Sequence, residues 1–106
     1  MDFDSDKTLL SVEEYELLTN WGMKYENYLR KSEYSKYILL FKSGSLFKYI
    51  KDKEKAINKI YTQVVSQIAN REGIDETLKK EQYNLWFNDM NEIYKRVDCM
   101  LNSLLK

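Results

Sequence analysis

The sequence contains no histidine and no proline, and it has only three glycines and one cysteine. Without histidine the chain lacks the commonest general base at neutral pH, the histidine-assisted nucleophiles and the usual ligands of zinc and iron. The lone Cys99 can form neither a disulfide within the chain nor a thiolate cluster around a metal. The glycines are too far apart for a phosphate-binding loop. We therefore predict a protein that is not an enzyme and that uses no cofactor or metal.

The shortage of turn-forming residues argues against an all-β fold, which needs many of them at this size. Apolar residues make up 43% of the 106 residues, so the chain can bury one core. No run approaches the ~18 apolar residues of a membrane span. The start is acidic, where a signal peptide is basic and then apolar. We expect a cytoplasmic protein with no membrane contact.

Apolar residues recur at helical spacing through most of the chain. Residues 57–68 carry one such stripe, and we predict helices over about 12–31, 33–42, 46–72 and 76–105. The expected fold is all-α, a small irregular helical bundle of four to five helices, two of them long. The strongest stripe consists of Tyr83, Phe87, Met90, Tyr94, Val97, Leu101 and Leu104.

Local signals predict where the helices begin and end. Residues 11–14, Ser-Val-Glu-Glu, match a capping box, and Gly73 is placed to end the second long helix in a left-handed conformation. Gly22 predicts a break or kink, because glycine is unfavourable inside a helix. Long helices in so short a chain leave three alternatives: a break near residues 81–82, an elongated bundle, or cover by another chain. The last alternative favours a homodimer.

The net charge is zero but it is unevenly spread. Residues 1–19 carry one lysine and six acids, whereas residues 20–62 carry ten bases and four acids. We predict an acidic N-terminal arm over residues 1–10 and a single helical domain over residues 11–106.

Nine tyrosines and two tryptophans make the chain rich in the aromatic residues that are common at protein interfaces. Most of them lie on the apolar stripes, and core packing explains those. Tyr34, Tyr37 and Tyr49 are the ones we expect to face a partner. Asn88 and Asn91 form a polar patch that is a recognition surface, a buried network that fixes the helix register or, as we favour, a solvent-facing strip.

Lys48, Lys51, Lys55 and Lys59 are spaced three and four residues apart, so they line one side of a helix. Such a stripe can bind nucleic-acid phosphates, and it is equally typical of a solvated helix face. Lysines outnumber arginines by 14 to 3, which argues against base-specific reading.

Seven short segments follow one another in an order that is typical of a known family: Trp-Gly-Met-Lys-Tyr at 21–25, Tyr-Leu at 28–29, Leu-Leu at 39–40, Ser-Gly-Ser-Leu at 43–46, Glu-Gly-Ile-Asp-Glu-Thr-Leu-Lys at 72–79, Gln-Tyr-Asn-Leu-Trp at 82–86 and Met-Asn at 90–91. With these segments the chain resembles the TnpV family of small transposon-encoded proteins, over about four-fifths of its length from residue 21 onward. The sequence departs from the family pattern at Tyr83, where methionine is usual, and at its C-terminus, which lacks the usual Glu-Leu-Ile tail. It also lacks the proline often found before the second helix.

The resemblance implies a mobile-element setting and accessory roles, such as helping a transposase or relaxase, regulating the element or disarming a host defence. The leading hypothesis is a non-enzymatic helical interaction protein that binds and modulates a protein or ribonucleoprotein partner, with an anti-CRISPR or other counter-defence inhibitor as its narrower form. The alternative is an accessory nucleic-acid-binding protein of a transposon that uses the lysine stripe.

Overall fold

The computed structural model describes residues 7–105, and those residues contain helices and no strand. The prediction of an all-α protein with two long helices is confirmed. No helix within the described range is long and apolar enough to cross a membrane. The helices are α1 (Val12–Glu16), α2 (Asn20–Ser32), α3 (Tyr34–Lys42), α4 (Leu46–Arg71), α5 (Glu76–Glu81) and α6 (Tyr83–Leu104).

The structure has six helices between residues 7 and 105, where the sequence predicted four to five, because two predicted helices are interrupted. The first is broken after Leu17, and α2 restarts behind Thr19, whose backbone is extended. The last is broken at Gln82, which has non-helical dihedral angles of φ −140° and ψ 72°. Of the three alternatives for the long C-terminal helix, the break near residues 81–82 is therefore present.

The predicted helix ends are confirmed where local chemistry determines them. The Ser11 hydroxyl accepts from the Glu14 amide at 3.1 Å, and the Glu14 carboxylate accepts from the Ser11 amide at 3.0 Å. Gly73 follows α4 with φ +71°, a conformation that glycine adopts without strain.

The described residues form two compact units. Unit 1 comprises residues 7–58 and 105, and unit 2 comprises residues 59–104. The core of unit 1 consists of Leu10, Leu18, Tyr25, Leu29, Tyr37, Leu46 and Ile50. The core of unit 2 consists of Val65, Ala69, Ile74, Ile93 and Val97.

The structure describes residues 7–10 of the predicted acidic arm. Its residues 1–6 lie outside the described residues. Thr8 donates to a buried carboxylate, and Leu10 is 8% exposed and belongs to the unit 1 core, so this end of the arm is packed rather than loose. The single helical domain over 11–106, the bundle arrangement and the homodimer stay predictions.

A fully buried carboxylate, that of Glu26, organises the polar interior of unit 1. It forms a salt bridge with Arg30, one turn later on α2, at 3.1 Å. The hydroxyls of Thr8 and Tyr37 also donate to it, at 2.7 and 2.6 Å, and the Tyr37 oxygen in turn accepts from the Leu9 amide at 2.8 Å. A buried charge must be paired in this way, because an unpaired one costs several kcal/mol. Glu26 thereby connects α2, α3 and the segment before α1.

A second buried carboxylate, Glu54 of α4, lies against the first turn of α2. It accepts from the amide and the hydroxyl of Thr19, at 2.6 and 3.0 Å, and pairs with Lys51 at 2.7 Å. Burial raises the pKa of Glu54, but the hydrogen bonds from Lys51 and Thr19 outweigh it and hold the pKa below its ordinary value. An anion here also suits the positive end of a helix dipole.

Gly22 explains how that carboxylate comes so close, and the break predicted at this position is absent. Gly22 lies buried within α2, and the helix continues through it. A β-carbon at this position would lie 2.9 Å from Glu54 Cδ and 3.2 Å from Leu18 Cβ, and it would overlap the carboxylate oxygen. The glycine therefore provides space for a partner, which differs from the helix-breaking role expected from its propensity.

We expect Gly22→Ala to destabilise the protein by about 1–3 kcal/mol, through overpacking against Glu54. The usual helix-propensity effect has the opposite sign, a gain of about 1 kcal/mol. In a Glu54→Ala background the same substitution should lose most of its penalty. Urea unfolding of the four proteins of this double-mutant cycle measures the coupling. Additive effects would show that Glu54 is not what excludes the β-carbon.

The buried Tyr37 should make the free energy of unfolding depend on pH. Burial, and then its hydrogen bond to Glu26, raise the pKa of Tyr37 to about 12. The stabilisation from its raised pKa is complete below the unfolded-state value of 10.0 and is lost as the pH rises towards about 12. Tyr37→Phe should lower the free energy of unfolding at pH 7 by about 1–3 kcal/mol. The gap to the wild type should narrow above pH ~10. Tyr83→Phe, at an exposed position, is the control, and a gap that widens with pH would contradict the assignment.

Candidate interaction surfaces

The tyrosines predicted to face a partner lie in unit 1, and the structure places them differently from one another. Tyr37 is fully buried in the core, so the prediction that it faces a partner is wrong in this structure: its hydroxyl serves Glu26 instead. Tyr34 is half-buried and stacks on Tyr37 with ring centroids 6.2 Å apart. Tyr49, also half-buried, lies among charged groups that reach solvent.

Tyr49 on α4 has two lysines over its ring. The Lys36 ammonium lies 5.0 Å from the ring centroid and the Lys53 ammonium 5.4 Å from it. On the core side its ring is 6.4 Å from the ring of Tyr25. The hydrogen bond from Lys36 lowers the pKa of Tyr49, whereas burial raises the pKa of Tyr25. We call Tyr49, Lys36 and Lys53 the Tyr49 cluster. Of these three residues, Tyr49 was among those predicted to face a partner.

The predicted lysine stripe lies on α4, but its members differ in their contacts. Lys48 is exposed and forms a long ion pair with Asp52 at 3.4 Å. Lys51 pairs with the buried Glu54 and also donates to the carbonyl of Leu17 at 3.1 Å, so it is occupied within unit 1. Lys55 and Lys59 are exposed. Three lysines of the stripe therefore face solvent, whereas the fourth, Lys51, is bound to Glu54 and to the carbonyl of Leu17.

In unit 2, Asn88 and Asn91 are both exposed on α6, as expected of a solvent-facing strip or of a recognition surface. The exposed aromatic residues of the same helix were assigned to the core by their spacing. Tyr83 is 55% exposed, Phe87 48% and Tyr94 39%. Being four and seven residues apart, they lie on one side of α6, and we call them the α6 aromatic strip.

Contacts between rings organise this strip. Tyr83 and Phe87 stack with their centroids 6.2 Å apart. Tyr94 stacks on Tyr61 of α4 at 6.2 Å, with the ring planes only 6° apart. Burial, followed by the charge of Asp98, raises the pKa of Tyr61 to about 12. The strip is thus made of rings held in place while much of their surface remains in water.

Sequence reasoning missed the strip because it centred the helix face incorrectly. The residues of α6 that are buried are Ile93 and Val97, with Trp86, Met90 and Leu101 packed against them. The buried face of α6 is therefore centred on residues 86, 93 and 97. Of these three, the stripe predicted from the sequence contains residue 97 but not residues 86 and 93. At ~100° per residue, Phe87 lies about 80° around the helix axis from Val97 and about 120° from Ile93, so a core centred on those two residues leaves the three aromatic rings outside it.

Unit 2 also contains an open apolar depression of about 370 Å³. Its apolar lining comes from α4, from the turn after it and from α6, and Trp86 stands at its edge with Lys79 4.7 Å above the ring. Among the described residues, no group of three or more Cys, Asp or Glu side chains is placed to hold a metal, and Cys99 is exposed as a free thiol. The apolar lining residues are Val65, Ala69, Ile74, Trp86 and Met90.

Comparison with known proteins gives one family. No curated protein and no solved structure showed a significant match to the chain. The family model described as transposon-encoded protein TnpV matches residues 7–105, which is nearly the whole chain. That match includes the six helices, Gly73 after the end of α4 and the break at Gln82. The chain belongs to the TnpV family of transposon-encoded proteins.

Proposed function

We propose that this transposon-encoded protein is a non-enzymatic interaction protein that binds and modulates a protein or ribonucleoprotein partner through α6. The observation that supports this is the α6 aromatic strip, Tyr83, Phe87 and Tyr94, each more than a third exposed. Exposed aromatic rings on one side of a helix are typical of interfaces, where tyrosine and phenylalanine are enriched. Leaving them in water forgoes the favourable free energy of burying them, roughly 25 cal/mol per Å².

Two neighbouring features suit a partner. Asn91 is exposed on the same helix and supplies both hydrogen-bond donors and acceptors at the border of the strip. The depression beside Trp86 is concave and mainly apolar, the form that receives an anchoring side chain. Aromatic anchors surrounded by polar amides are the usual composition of a protein-binding surface. The narrower counter-defence role stays part of this proposal, as inhibition of a partner by occlusion.

Phe87→Glu tests the strip, because it places a charge at its centre and removes no core contact. We expect a partner captured by the wild-type protein from cells that carry the element to be lost at least ~30-fold, since truncating a central anchor typically costs about 2–4 kcal/mol. Gln63→Glu, which adds the same single negative charge at an exposed position of α4, is the control. Quantitative mass spectrometry of the captured proteins, with circular dichroism to verify folding, provides the measurement. Equal capture by wild type and Phe87→Glu would remove α6 as the binding surface.

The same strip is our proposal for the contact of a homodimer, which would cover the rings with those of a second copy. Sedimentation equilibrium distinguishes the two uses of the surface. We expect the wild-type protein to self-associate reversibly at concentrations of roughly 10–100 μM, in the range of weak interfaces. Phe87→Glu should be monomeric throughout. A wild type that stays monomeric across this range contradicts the dimer and leaves the partner-binding test standing.

A further inference from the structure

The Tyr49 cluster brings two cations to one place on unit 1. The Lys36 and Lys53 ammonium groups come from α3 and α4 and converge on the same ring, at 5.0 and 5.4 Å from its centroid. Two cations beside one ring repel each other, and an anion bound near both of them lowers that repulsion. We propose that Tyr49, Lys36 and Lys53 form a binding site for the backbone phosphates of nucleic acid.

The charge balance along α2, α3 and the first half of α4 supports this position. Residues 20–58 contain nine bases and four acids. Three of the acids are already paired, with Arg30, Lys48 and Lys51. Within the described residues, neither Lys36 nor Lys53 forms an ion pair with an acidic side chain. The fourth acid, Glu33, attracts Lys36 without forming an ion pair with it. The unpaired positive charge of this stretch therefore includes the Tyr49 cluster, while Lys51 of the predicted stripe is paired with Glu54.

The cluster is also held in place before any ligand arrives. The Tyr49 ring is half-buried and lies 6.4 Å from Tyr25, which is itself 8% exposed and 5.9 Å from Tyr28. Each lysine is attracted to the face of the ring, which restricts an otherwise flexible side chain. Less conformational entropy is then lost when the ammonium groups bind an anion. The Tyr49 hydroxyl supplies a third polar group at the same place.

Nucleic-acid phosphate fits these groups better than an acidic protein does. The lysine ammonium is a compact, strongly hydrated charge that binds phosphate as a point charge, and lysine is depleted at the centres of protein interfaces. Because ammonium groups lie over the Tyr49 ring, the ring is not free to stack on a base. Binding should therefore be independent of sequence, through phosphates alone. This site lies in unit 1 and does not depend on the partner-binding role proposed for α6.

Fluorescence anisotropy with a labelled single strand of about 20 nucleotides, and with the duplex of the same length, tests the site at about 50 and about 200 mM salt. We expect the double variant Lys36→Gln, Lys53→Gln to bind at least ~10-fold more weakly at low salt. The slope of log K against log salt should become shallower by about 1.4 for the single strand and about 1.8 for the duplex, two phosphate contacts in each case.

Lys48→Gln, Lys55→Gln is the matched control, because it removes the same charge from the outward-facing stripe of α4. It should change the affinity less than ~3-fold, because at ~100° per residue Lys48 and Lys55 lie at least about 100° around α4 from Tyr49 and Lys53, and salt screens their charges. Lys36→Arg, Lys53→Arg keeps the charge and should retain binding within ~3-fold, since phosphates accept either cation. Thermal unfolding followed by circular dichroism checks that all variants fold alike. Whichever probe binds more tightly at equal salt identifies the strandedness of the ligand.

Four results would overturn the site. The first is a wild-type protein that binds neither probe at low salt. The second is an equal loss in the Lys36–Lys53 and Lys48–Lys55 double variants, which would mean diffuse attraction to net charge. The third is binding of poly-glutamate, with the same dependence on Lys36 and Lys53, in the absence of oligonucleotide binding, which would assign the cluster to an acidic peptide. A loss in the arginine pair as large as in the glutamine pair also contradicts a phosphate contact.

Discussion

Unit 1 depends on two carboxylates that folding removes from water, those of Glu26 and Glu54. Burying such a charge costs several kcal/mol unless donors surround it. Each carboxylate therefore determines where other elements can lie: Glu26 requires a tyrosine from α3 and a threonine from the segment before α1, and Glu54 requires the first turn of α2. Among the described residues no buried side-chain nitrogen or oxygen lacks a partner. Apolar burial alone would permit several arrangements of these helices, and the polar contacts select one.

Local signals in the sequence were sufficient for some helix ends, and they failed where the partner is distant in the chain. The capping box at Ser11 and the end of α4 at Gly73 follow from neighbouring residues, whereas the break near Gln82 was one of three alternatives left by helix length and the break after Leu17 was not predicted. Gly22 was misread because its reason is Glu54, on another helix. Helix propensity describes a residue in isolation, whereas a close approach between two helices is a property of the folded chain.

The same limit applies to the candidate surfaces. Spacing correctly placed the four lysines along α4, but it could not show that Lys51 turns back to Glu54 and to the carbonyl of Leu17. Periodicity gave α6 an apolar face and left its rotation about the helix axis undetermined by some tens of degrees. That uncertainty is small for the fold and large for the surface, because it decides whether Phe87 is in the core or in water.

The free thiol of Cys99 has a practical consequence for this molecule. It is the single cysteine of the chain, and it is exposed on α6. Five residues correspond to about 140° of rotation around a helix, so Cys99 points well away from Tyr94 on the same helix. A maleimide dye or a nitroxide spin label can therefore be attached at one defined position without mutagenesis. Such a reporter would follow events on α6 while leaving the aromatic rings uncovered.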